Sequence, residues 1–597
     1  MESKKTKIKK DSNKKSLTKV KKSSENINEG SKKSTEETKS VKKSTKITHK
    51  ILTKRGYVIN KSQITPGELK ATTTELHVTP IANNDFGEEA ISFPLFKNTT
   101  TQLCLPRYYG IEKFGKPAKT IGMESGKVRF KFKGEMKSHQ VPIVETSLKT
   151  LKEKGGGILQ LYCGCGKTVL ALKIAAELGV KTLIVVHKSF LQNQWYDRIQ
   201  EFTDAKVGLI RQKKVDVEGK DIVVGMLQSI AMINYDLEIF NEFQLIICDE
   251  VHHFASRVFS QALYKIGSKY TLGLSATPNR SDGLTKVLYW YLGNIMYKLE
   301  REGDKRVFVK VFNYTTEDPN YKEKKTWVKG KGMKANPPKM VTALQKVKHR
   351  NTFIINILKT VMVQDERKIL VLSDRIDHLM DMKKLLDSEI AKLVFSEDIE
   401  KDEITTAYYI GKMKEYERVD AVKADIIFAT YAMAAEGLDI PTLNTLLFAT
   451  PKKNVIQCVG RILRKQSKEG DVSPLVIDIL DNYSVFENQG KKRVQYYTSK
   501  KYTIEHYNGV DDKIVTKADY IKKLYGNDYY ELHVDENNWK DYDPNPDKIM
   551  YIDPDQFIND DVPDDENSDN DDNDGEEIKY TKNKPAKFNL QECMFSD

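Results

Sequence analysis

Two stretches of the chain alternate short apolar runs with amphipathic segments. The first contains GGILQLY, KTLIVVH, DIVVGM, FQLIICDE and KYTLGLSATP, with amphipathic segments such as GKTVLALKIAAEL and SFLQNQWYDRIQEF between them. The second contains RKILVLS, ADIIFATY, LNTLLFAT and PLVIDILD, with segments such as RIDHLMDMKKLLDSEI between them. Short apolar strands that alternate with helices are typical of a parallel sheet covered by helices on both faces. The pattern therefore predicts an α/β protein with two parallel-sheet units in tandem.

The regions outside the two units have a different composition. Short β-prone runs punctuated by Pro and Gly predict a small mixed α/β domain, and a Lys-rich stretch at 318–339 indicates a linker or an inserted loop. Both ends of the chain are charged and poor in apolar side chains, so we expect disordered tails. The predicted regions are a basic tail (1–50), the mixed domain (51–125), the first unit (126–310), the linker or insertion (311–340), the second unit (341–510) and a C-terminal extension (511–597) that is acidic and largely disordered after about 535.

The charge distribution favours a polyanionic partner. The 597 residues carry a net charge of +13. Residues 1–50 contain 17 Lys and 6 acidic residues, whereas residues 551–577 contain 13 acidic residues and no Lys or Arg. These tails nearly cancel, so the body of the chain is itself basic, as in proteins that bind nucleic acid. Lys-rich surfaces that only aid solubility are the alternative.

The expected cellular location follows from the apolar segments and cysteine pairs that the sequence does not contain. No apolar run approaches the roughly 18 residues that a membrane span needs, and the first 15 residues have no apolar core, so we expect neither a membrane anchor nor a secretory signal. The six cysteines are scattered without CxxC pairs, which indicates a reducing compartment.

The segment GGGILQLYCGCGKT places a glycine-rich turn between a strand and a helix. Backbone N–H groups of such a turn, including those at Gly164 and Gly166, surround phosphate oxygens at the positive end of the helix. Lys167 can neutralise the β- and γ-phosphates, and the Thr168 hydroxyl can bind Mg²⁺. The strict phosphate-loop pattern requires Gly where this chain has Leu161, but the glycines nearest the phosphates are present.

Cys163 and Cys165 lie inside this loop, where a metal or redox site is the alternative interpretation. A metal site would need two further ligands, and Cys248 is the one nearby candidate in the sequence. We therefore interpret the two cysteines as variable positions of an ATP-binding loop. Thiols beside a helix N-terminus are expected to have a lowered pKa and to oxidise readily, so this loop is also a predicted oxidation site.

Two adjacent acids end the run LIICDEVHHF. Asp249 suits the Mg²⁺ ion that accompanies a bound nucleotide, and Glu250 suits the base that orients an attacking water. His252 and His253 lack the HExxH spacing of a zinc site. We expect His252 to couple the nucleotide site to the segment Ser275-Ala276-Thr277.

The motifs CGCGKT, DEVH, SATP, EGLDIP and QCVGRILR occur in the order and spacing of superfamily 2 helicases. The sequence flanking these motifs, such as LGLSATPNRSDGL, resembles that of the DExH branch, which contains XPB, UvsW and the poxvirus transcript-release helicase. The segment LPRYYGIEKFG is similar to helicases of nucleo-cytoplasmic large DNA viruses. The resemblance covers about residues 100–500 and implies two tandem RecA-like domains, ATP and Mg²⁺ as cofactors, and 3′→5′ movement.

The resemblance also implies roles for individual residues. Gln140 corresponds to a glutamine that reads adenine, and Gly437 and Asp439 belong to the motif that links ATP to the nucleic acid. Gln457, Arg461 and Arg464 lie at i, i+4 and i+7, which predicts one helical face turned toward the ATP. Six further positions match residues that hold the sugar-phosphate backbone without reading bases: Lys188, Gln228, Ser229, Arg280, Ser373 and Thr430.

The sequence therefore predicts an ATP-dependent helicase or translocase that acts on DNA in viral transcription, for example in transcript release. An RNA helicase is the first alternative, and a nucleic-acid-binding scaffold without motor activity is the second. We expect a monomeric motor, with RNA polymerase or transcription factors as possible partners. Its expected location is the host cytoplasm, a viral factory or the virion, with the nucleus as a further option.

Overall fold

The computed structural model describes most of the chain between residues 50 and 526. The basic tail before Lys50, the acidic tail, and the predicted site residues Gly437 and Asp439 lie outside the described residues. Within the described part, no helix is both long and apolar enough to cross a membrane. The described residues are 50–54, 56–81, 91–122, 127–280, 282–328, 332–364, 366–396, 404–411, 413–436, 438, 440–464 and 471–526.

The first part of the described chain forms a five-stranded sheet in the order β5-β6-β2-β1-β7 and a separate pair, β3-β4. Its elements are β1 (Lys50–Thr53), β2 (Gly56–Asn60), α1 (Pro66–Glu75), β3 (His77–Val78), β4 (Phe93–Pro94), β5 (Lys97–Asn98), β6 (Gln102–Leu105), α2 (Arg107–Phe114) and β7 (Lys119–Thr120). Helix α1 begins with a capping box, in which the Thr65 side chain accepts from the Glu68 backbone and the Glu68 side chain accepts from the Thr65 backbone.

An eight-stranded sheet follows, in the order β11-β10-β12-β9-β13-β14-β8-β15, and all of its pairings except β10–β11 are parallel. Its elements are α3 (Val141–Lys154), β8 (Gly156–Leu161), α4 (Lys167–Leu178), β9 (Thr182–Val186), α5 (Ser189–Phe202), β10 (Val207–Arg211), β11 (Lys214–Asp216), β12 (Ile222–Met226), α6 (Leu227–Met232), β13 (Leu245–Cys248), α7 (Ser260–Lys265), β14 (Tyr270–Ser275), α8 (Thr285–Leu292) and β15 (Ile295–Leu299).

A second eight-stranded sheet has the order β20-β21-β19-β22-β23-β16-β24-β25 and is parallel except for β24–β25. Its elements, with a separate hairpin β17-β18, are β16 (Phe308–Thr315), β17 (Lys325–Val328), β18 (Gly332–Ala335), α9 (Pro337–Leu344), α10 (Lys348–Met362), β19 (Ile369–Ser373), α11 (Ile376–Phe395), β20 (Thr406–Tyr409), α12 (Glu415–Ala421), β21 (Ile426–Thr430), α13 (Tyr431–Glu436), β22 (Thr445–Phe448), α14 (Ile456–Val459), β23 (Leu475–Asp481), α15 (Val485–Ser499), β24 (Thr503–Val510), β25 (Lys513–Val515) and α16 (Lys517–Tyr525).

Short 3₁₀ helices join some of these elements, and they span Lys61–Gln63, Ser138–Gln140, Leu237–Phe240 and Val251–Phe254. Every apolar run from which a parallel strand was predicted forms one, so the predicted fold class is confirmed. The interpretation of 311–340 as a linker is wrong at its start. Strand β16 occupies the interior of the second sheet between β23 and β24, and the Lys-rich stretch after it forms a hairpin and the start of α9.

Both large sheets are buried on both faces, as the continuous apolar strands predict. In β9, Leu183 and Val185 pack into one core cluster while Ile184 packs into the cluster on the opposite face. In β19, neighbouring residues are divided in the same way between two clusters. The N-terminal part adds to the first of these cores, since Tyr109 packs edge-on against Trp290 at a centroid distance of 5.2 Å.

A buried ion pair ties α10 to the end of β23. Arg350 Nε and Nη2 donate to the two carboxylate oxygens of Asp481 at 2.7 and 2.8 Å, and Nη1 donates to the Ala449 carbonyl at 2.7 Å. Both side chains are fully buried. All three guanidinium nitrogens thus donate to groups inside the protein, so loss of Asp481 leaves the Arg350 charge without solvent or counterion.

We expect Asp481→Ala to lower the free energy of unfolding of the second unit by about 3–5 kcal/mol, because it strands the Arg350 charge. The double variant Arg350→Met/Asp481→Leu should recover most of that loss. The measurement is denaturant unfolding followed by circular dichroism. Asp420→Ala, which removes an exposed partner of Lys423, is the matched control with an expected change below about 0.5 kcal/mol. Equal losses in Asp481→Ala and the control would contradict this account.

Candidate functional site

The glycine-rich loop between β8 and α4 is the centre of the site. Gly164 and Gly166 have φ angles of 88° and 87°, in the region that side-chain-bearing residues rarely adopt. A Cβ on Gly166 would lie 2.6 Å from Gln140 Nε2, and one on Gly164 would lie 3.4 Å from Arg464 Cγ. Both glycines are therefore required by the backbone conformation, and a side chain at position 166 would in addition displace the Gln140 amide.

Gln140, which the sequence predicts to read adenine, lies against the loop. Its Nε2 donates to the Cys165 carbonyl at 3.0 Å, and its Oε1 accepts from the Lys137 backbone at 3.0 Å. The side chain is buried, so both bonds replace water. These bonds fix the side-chain amide beside the loop.

Lys167, the first residue of α4, faces the acidic pair across the loop. Its Nζ lies 3.3 Å from Glu250 Oε1, and both side chains are mostly buried. Burial alone would lower the pKa of Lys167, but Glu250 and the neighbouring anionic groups outweigh it and raise that pKa above its usual value. Lys167 therefore keeps its positive charge at the place where phosphates would bind. Thr168 follows it in the first turn of α4.

Asp249 directly follows β13 and is held by two donors. Its Oδ2 accepts from Trp195 Nε1 at 2.8 Å, and its Oδ1 accepts from the Glu250 backbone at 3.0 Å. Burial and the neighbouring Glu250 charge raise the pKa of Asp249. Trp195 lies on α5, 54 residues away in sequence, and nothing in the motifs indicates this contact.

Strand β14 lies between β13 and β8, so the strand that ends at Cys248 is not the direct neighbour of the loop. Glu250 turns back toward the loop with a φ of 45°, an unusual conformation for a residue with a side chain. This turn carries its carboxylate past β14 to Lys167. The strained backbone at Glu250 thus allows its side chain to reach across β14 to the loop.

His252 lies between the acidic pair and the end of β14. Its Nδ1 is 3.6 Å from Glu250 Oε2 and 3.5 Å from Ser275 Oγ. The Ser275 hydroxyl also accepts from the Thr277 backbone at 3.1 Å. The structure thus brings together the residues for which the sequence predicts coupling.

The contacts continue from His252 to two of the predicted strand-binding residues. The rings of His252 and His253 are 4.2 Å apart, and His253 stacks on His187 at 3.8 Å. Gln228 Nε2 donates to the His187 carbonyl at 2.5 Å, and Arg280 donates to the His252 carbonyl. An unbroken set of contacts therefore runs from Glu250 to the predicted nucleic-acid surface.

The second sheet contributes the segment that contains Arg461 and Arg464. Helix α14 ends at Val459 and a turn follows, so the prediction of one helical face shared by Gln457, Arg461 and Arg464 is wrong. Arg461 is buried and donates to the Leu438 and Ala435 carbonyls, at 3.0 Å for the first. Its guanidinium therefore holds the backbone at Ala435 and Leu438.

Arg464, unlike Arg461, lies against the phosphate loop. Its Cα, Cβ and Cγ lie 3.4 to 3.8 Å from the position of a Cβ on Gly164. Gly460, in the same turn, packs so closely on Cys163 that an added Cβ would lie 2.9 Å from the cysteine Cβ. The two units therefore touch at the loop itself.

Arg301 is a residue that the sequence reasoning missed. It lies between β15 and β16, where one sheet ends and the other begins. Its Nη1 donates to the Leu463 carbonyl, and its guanidinium lies 5.9 Å from the ring centre of Tyr162, the residue before Cys163. Arg301 thus touches the start of the loop and the residue before Arg464. No motif covers this position, so the sequence carries no signal for it.

The expected low thiol pKa is wrong for Cys165. Only 2% of this residue is exposed, and burial raises the pKa of its thiol. The side chain packs into the core under the loop, whereas the backbone carbonyl faces Gln140. The helix N-terminus therefore does not favour a thiolate at this position.

The predicted strand-binding residues lie next to the carboxyl ends of parallel strands. Lys188 follows β9, Gln228 and Ser229 open α6, Arg280 follows β14, and Ser373 and Thr430 end β19 and β21.

Two of the six have their hydroxyls committed inside the protein. Ser373 is fully buried, and its hydroxyl lies 3.0 Å from His378 Nδ1 and accepts from the Arg375 backbone at 3.1 Å. Ser229 accepts from the Gln212 backbone at 2.9 Å. We correct the expectation for Ser373, since it presents no free hydroxyl to a strand. Lys188 and Thr430 are partly exposed.

Comparison with known families assigns both units. Residues 133–280 match the family described as "Type III restriction enzyme, res subunit", and residues 350–466 match "Helicase conserved C-terminal domain". The matches divide the chain as the two large sheets do.

Individual relatives cover most of the chain. A protein of Acanthamoeba polyphaga mimivirus with the provisional name ATP-dependent RNA helicase L396 is 37% identical, over 79% of this chain and 91% of its own length. The DNA 3'-5' translocase XPB2 of Sulfurisphaera tokodaii is 27% identical, over 59% of this chain and 82% of its own length. A helicase with the provisional name 161L from Invertebrate iridescent virus 6 is 26% identical over 63% of this chain. With its ordered motifs, its two parallel-sheet units and this similarity, the chain belongs to the superfamily 2 helicases, which hydrolyse ATP.

Proposed function

We propose that this helicase is a DNA-stimulated ATPase that moves 3′→5′ along DNA in viral transcription, for example to release transcripts. The observation that carries the motor part is the meeting of Lys167, Glu250 and Arg464 at one loop, with the arginine supplied by the other unit. ATP bound at this loop touches both units, so its hydrolysis changes how they are held together. Two such states that grip a strand differently produce directed movement.

The side chains at the loop divide the work of phosphoryl transfer. Lys167 neutralises the β- and γ-phosphates, and Glu250, released from Lys167 by the incoming phosphates, orients the attacking water and accepts its proton. Arg464 stabilises negative charge on the transferring group, an effect worth roughly 10³–10⁵ in rate in well-studied NTPases. Adenine binding is assigned to Gln140 on the family resemblance.

The loop also fits Mg²⁺. The fit rests on hard oxygen donors, a buried carboxylate at Asp249 that two hydrogen bonds hold in place and the Thr168 hydroxyl in the first turn of α4. When bound there with ATP, the ion would neutralise negative charge on the phosphates. Trp195 positions the Asp249 carboxylate for this contact.

DNA as the substrate is supported by similarity to a protein named as a DNA 3'-5' translocase and by the DExH motif wording. RNA is the second candidate, since relatives from mimivirus and from African swine fever virus carry provisional names as ATP-dependent RNA helicases. Relatives in large DNA viruses support a viral role, and the resemblance to the poxvirus transcript-release helicase supports transcription. The scaffold alternative is not favoured, because Lys167, Glu250 and Arg464 are all present at one loop.

Single-stranded DNA should raise the ATP turnover of the purified protein above its basal rate, and RNA should not. The DNA concentration that gives half-maximal stimulation should rise with salt, because the logarithm of the binding constant falls with a slope of roughly −0.7 per phosphate contact against the logarithm of the salt concentration. The measurement is ATPase activity with single-stranded DNA, duplex DNA and RNA across a salt series.

Lys167→Ala is the control for that experiment, and it should reduce ATP turnover by at least about 10²-fold. Full activity in Lys167→Ala would contradict the motor. Stimulation by RNA alone would contradict the DNA assignment while leaving the motor in place.

Arg301→Ala should lower kcat for ATP by about 10- to 100-fold with little change in KM, because Leu463 and therefore Arg464 lose their support beside the loop. The measurement is steady-state kinetics of DNA-stimulated hydrolysis. Arg306→Ala is the matched control, since this exposed arginine, five positions further along the chain, pairs with the nearby Asp304. A similar loss in both variants would mean that linker stiffness, rather than the Leu463 contact, supports activity.

A further inference from the structure

The hairpin β17-β18 exposes an aromatic and a thioether side chain in one spot. Trp327 and Met333 are directly opposite each other in the antiparallel pair. They are 64% and 58% exposed, although both are large apolar side chains. The segment from Tyr321 to Lys339 also contains seven Lys and one Glu. Exposed apolar side chains within a strongly basic segment indicate a binding surface rather than a solubilising loop.

The hairpin is held firmly, so this exposure does not result from a loose loop. The face opposite Trp327 is buried at Val328. Thr326 Oγ1 accepts from Asn336 Nδ2 at 3.0 Å and from Lys339 Nζ at 3.1 Å, and the buried Asn336 caps α9. Glu323 accepts from Ser484 Oγ at 2.6 Å, which ties the base of the hairpin to the end of β23.

The sheet topology places the hairpin at the edge where the strand is predicted to run. Strand β16 is parallel to β23, and through β22 to β19 and β21, so its carboxyl end lies at the same edge as the partly exposed Thr430. The chain leaves that edge to form the hairpin. Arg375 then joins the following helix to this edge, because it donates to the Pro338 carbonyl at 3.1 Å and to Thr342 Oγ1 at 3.2 Å.

We propose that the hairpin binds the single strand that the motor tracks, with a base stacked on Trp327 and Met333 and with the neighbouring lysines attracting the phosphates. This proposal rests on the proposed motor function and adds a contact site outside its motifs. Every base has an apolar face, so stacking on Trp327 is sequence-tolerant, as a translocating motor requires. The net positive charge of the segment matches a polyanion.

The test measures the affinity of the full-length protein for fluorescein-labelled oligo-dT and oligo-U by anisotropy. Trp327→Ala should weaken binding to the tracked strand about tenfold, whereas Trp327→Phe, which keeps an aromatic face, should stay within about threefold of wild type. ATP turnover without nucleic acid should not change in either variant. Phe395→Ala is the matched control, because this 92% exposed aromatic lies at the end of α11, which leads back toward the opposite edge of the sheet. It should bind like wild type.

A second readout does not depend on the folding of the alanine variant. The tryptophan fluorescence of wild type should be quenched by the oligonucleotide, and Trp327→Phe should lose that quenching. Wild-type affinity in Trp327→Ala, or unchanged quenching in Trp327→Phe, would overturn the hairpin proposal while DNA-stimulated hydrolysis still stands. Absence of any nucleic-acid binding or stimulation in wild type would instead overturn the motor function and the hairpin proposal together.

Discussion

The backbone conformation of two glycines in the phosphate loop is the constraint on which the rest of the structure depends. Gly164 and Gly166 have positive φ angles, and Arg464 and Gln140, from separate parts of the chain, converge on the turn that they form. A methyl group at Gly166 would collide with Gln140, and both glycines adopt a backbone conformation that other residues avoid. Two residues without side chains therefore shape the turn around which the site is arranged.

Parallel topology explains how distant residues reach that turn. Strands of one direction end at one edge, and the residues that follow β8, β13 and β14 meet there although about 120 positions separate the first from the last. Glu250 and His252 then reach across β14, which separates the loop from β13, the strand that precedes the acidic pair. The same rule in the second sheet gathers Thr430 and the hairpin. Parallel topology therefore gathers both the phosphate-loop residues and the residues proposed to contact the strand.

The sequence predicts the local features well and the long-range contacts poorly. Apolar runs identify the strands of both sheets, and the Gly-Cys-Gly-Lys-Thr spacing identifies the loop, because each depends on neighbouring residues alone. Strand β16 escapes notice since Lys310 and Asn313 interrupt its apolar pattern. Trp195 contacts Asp249, 54 positions away, and Arg301 contacts Leu463, 162 positions away. No sequence motif spans separations of this length. The opposite directions of Arg461 and Arg464 result from the early end of α14, which the i, i+4, i+7 spacing conceals.

The shared core beneath the first sheet sets where this motor can be divided. Tyr57, Leu103 and Tyr109 belong to the same buried cluster as Ile158 and Val185, so one face of the first sheet is completed by residues that precede the helicase family match at 133. A fragment cut at the family boundary would expose that apolar face to water. The region that must fold together is therefore larger than the region that carries the motifs. The N-terminal part is an integral part of the core of the first unit rather than a separate appendage.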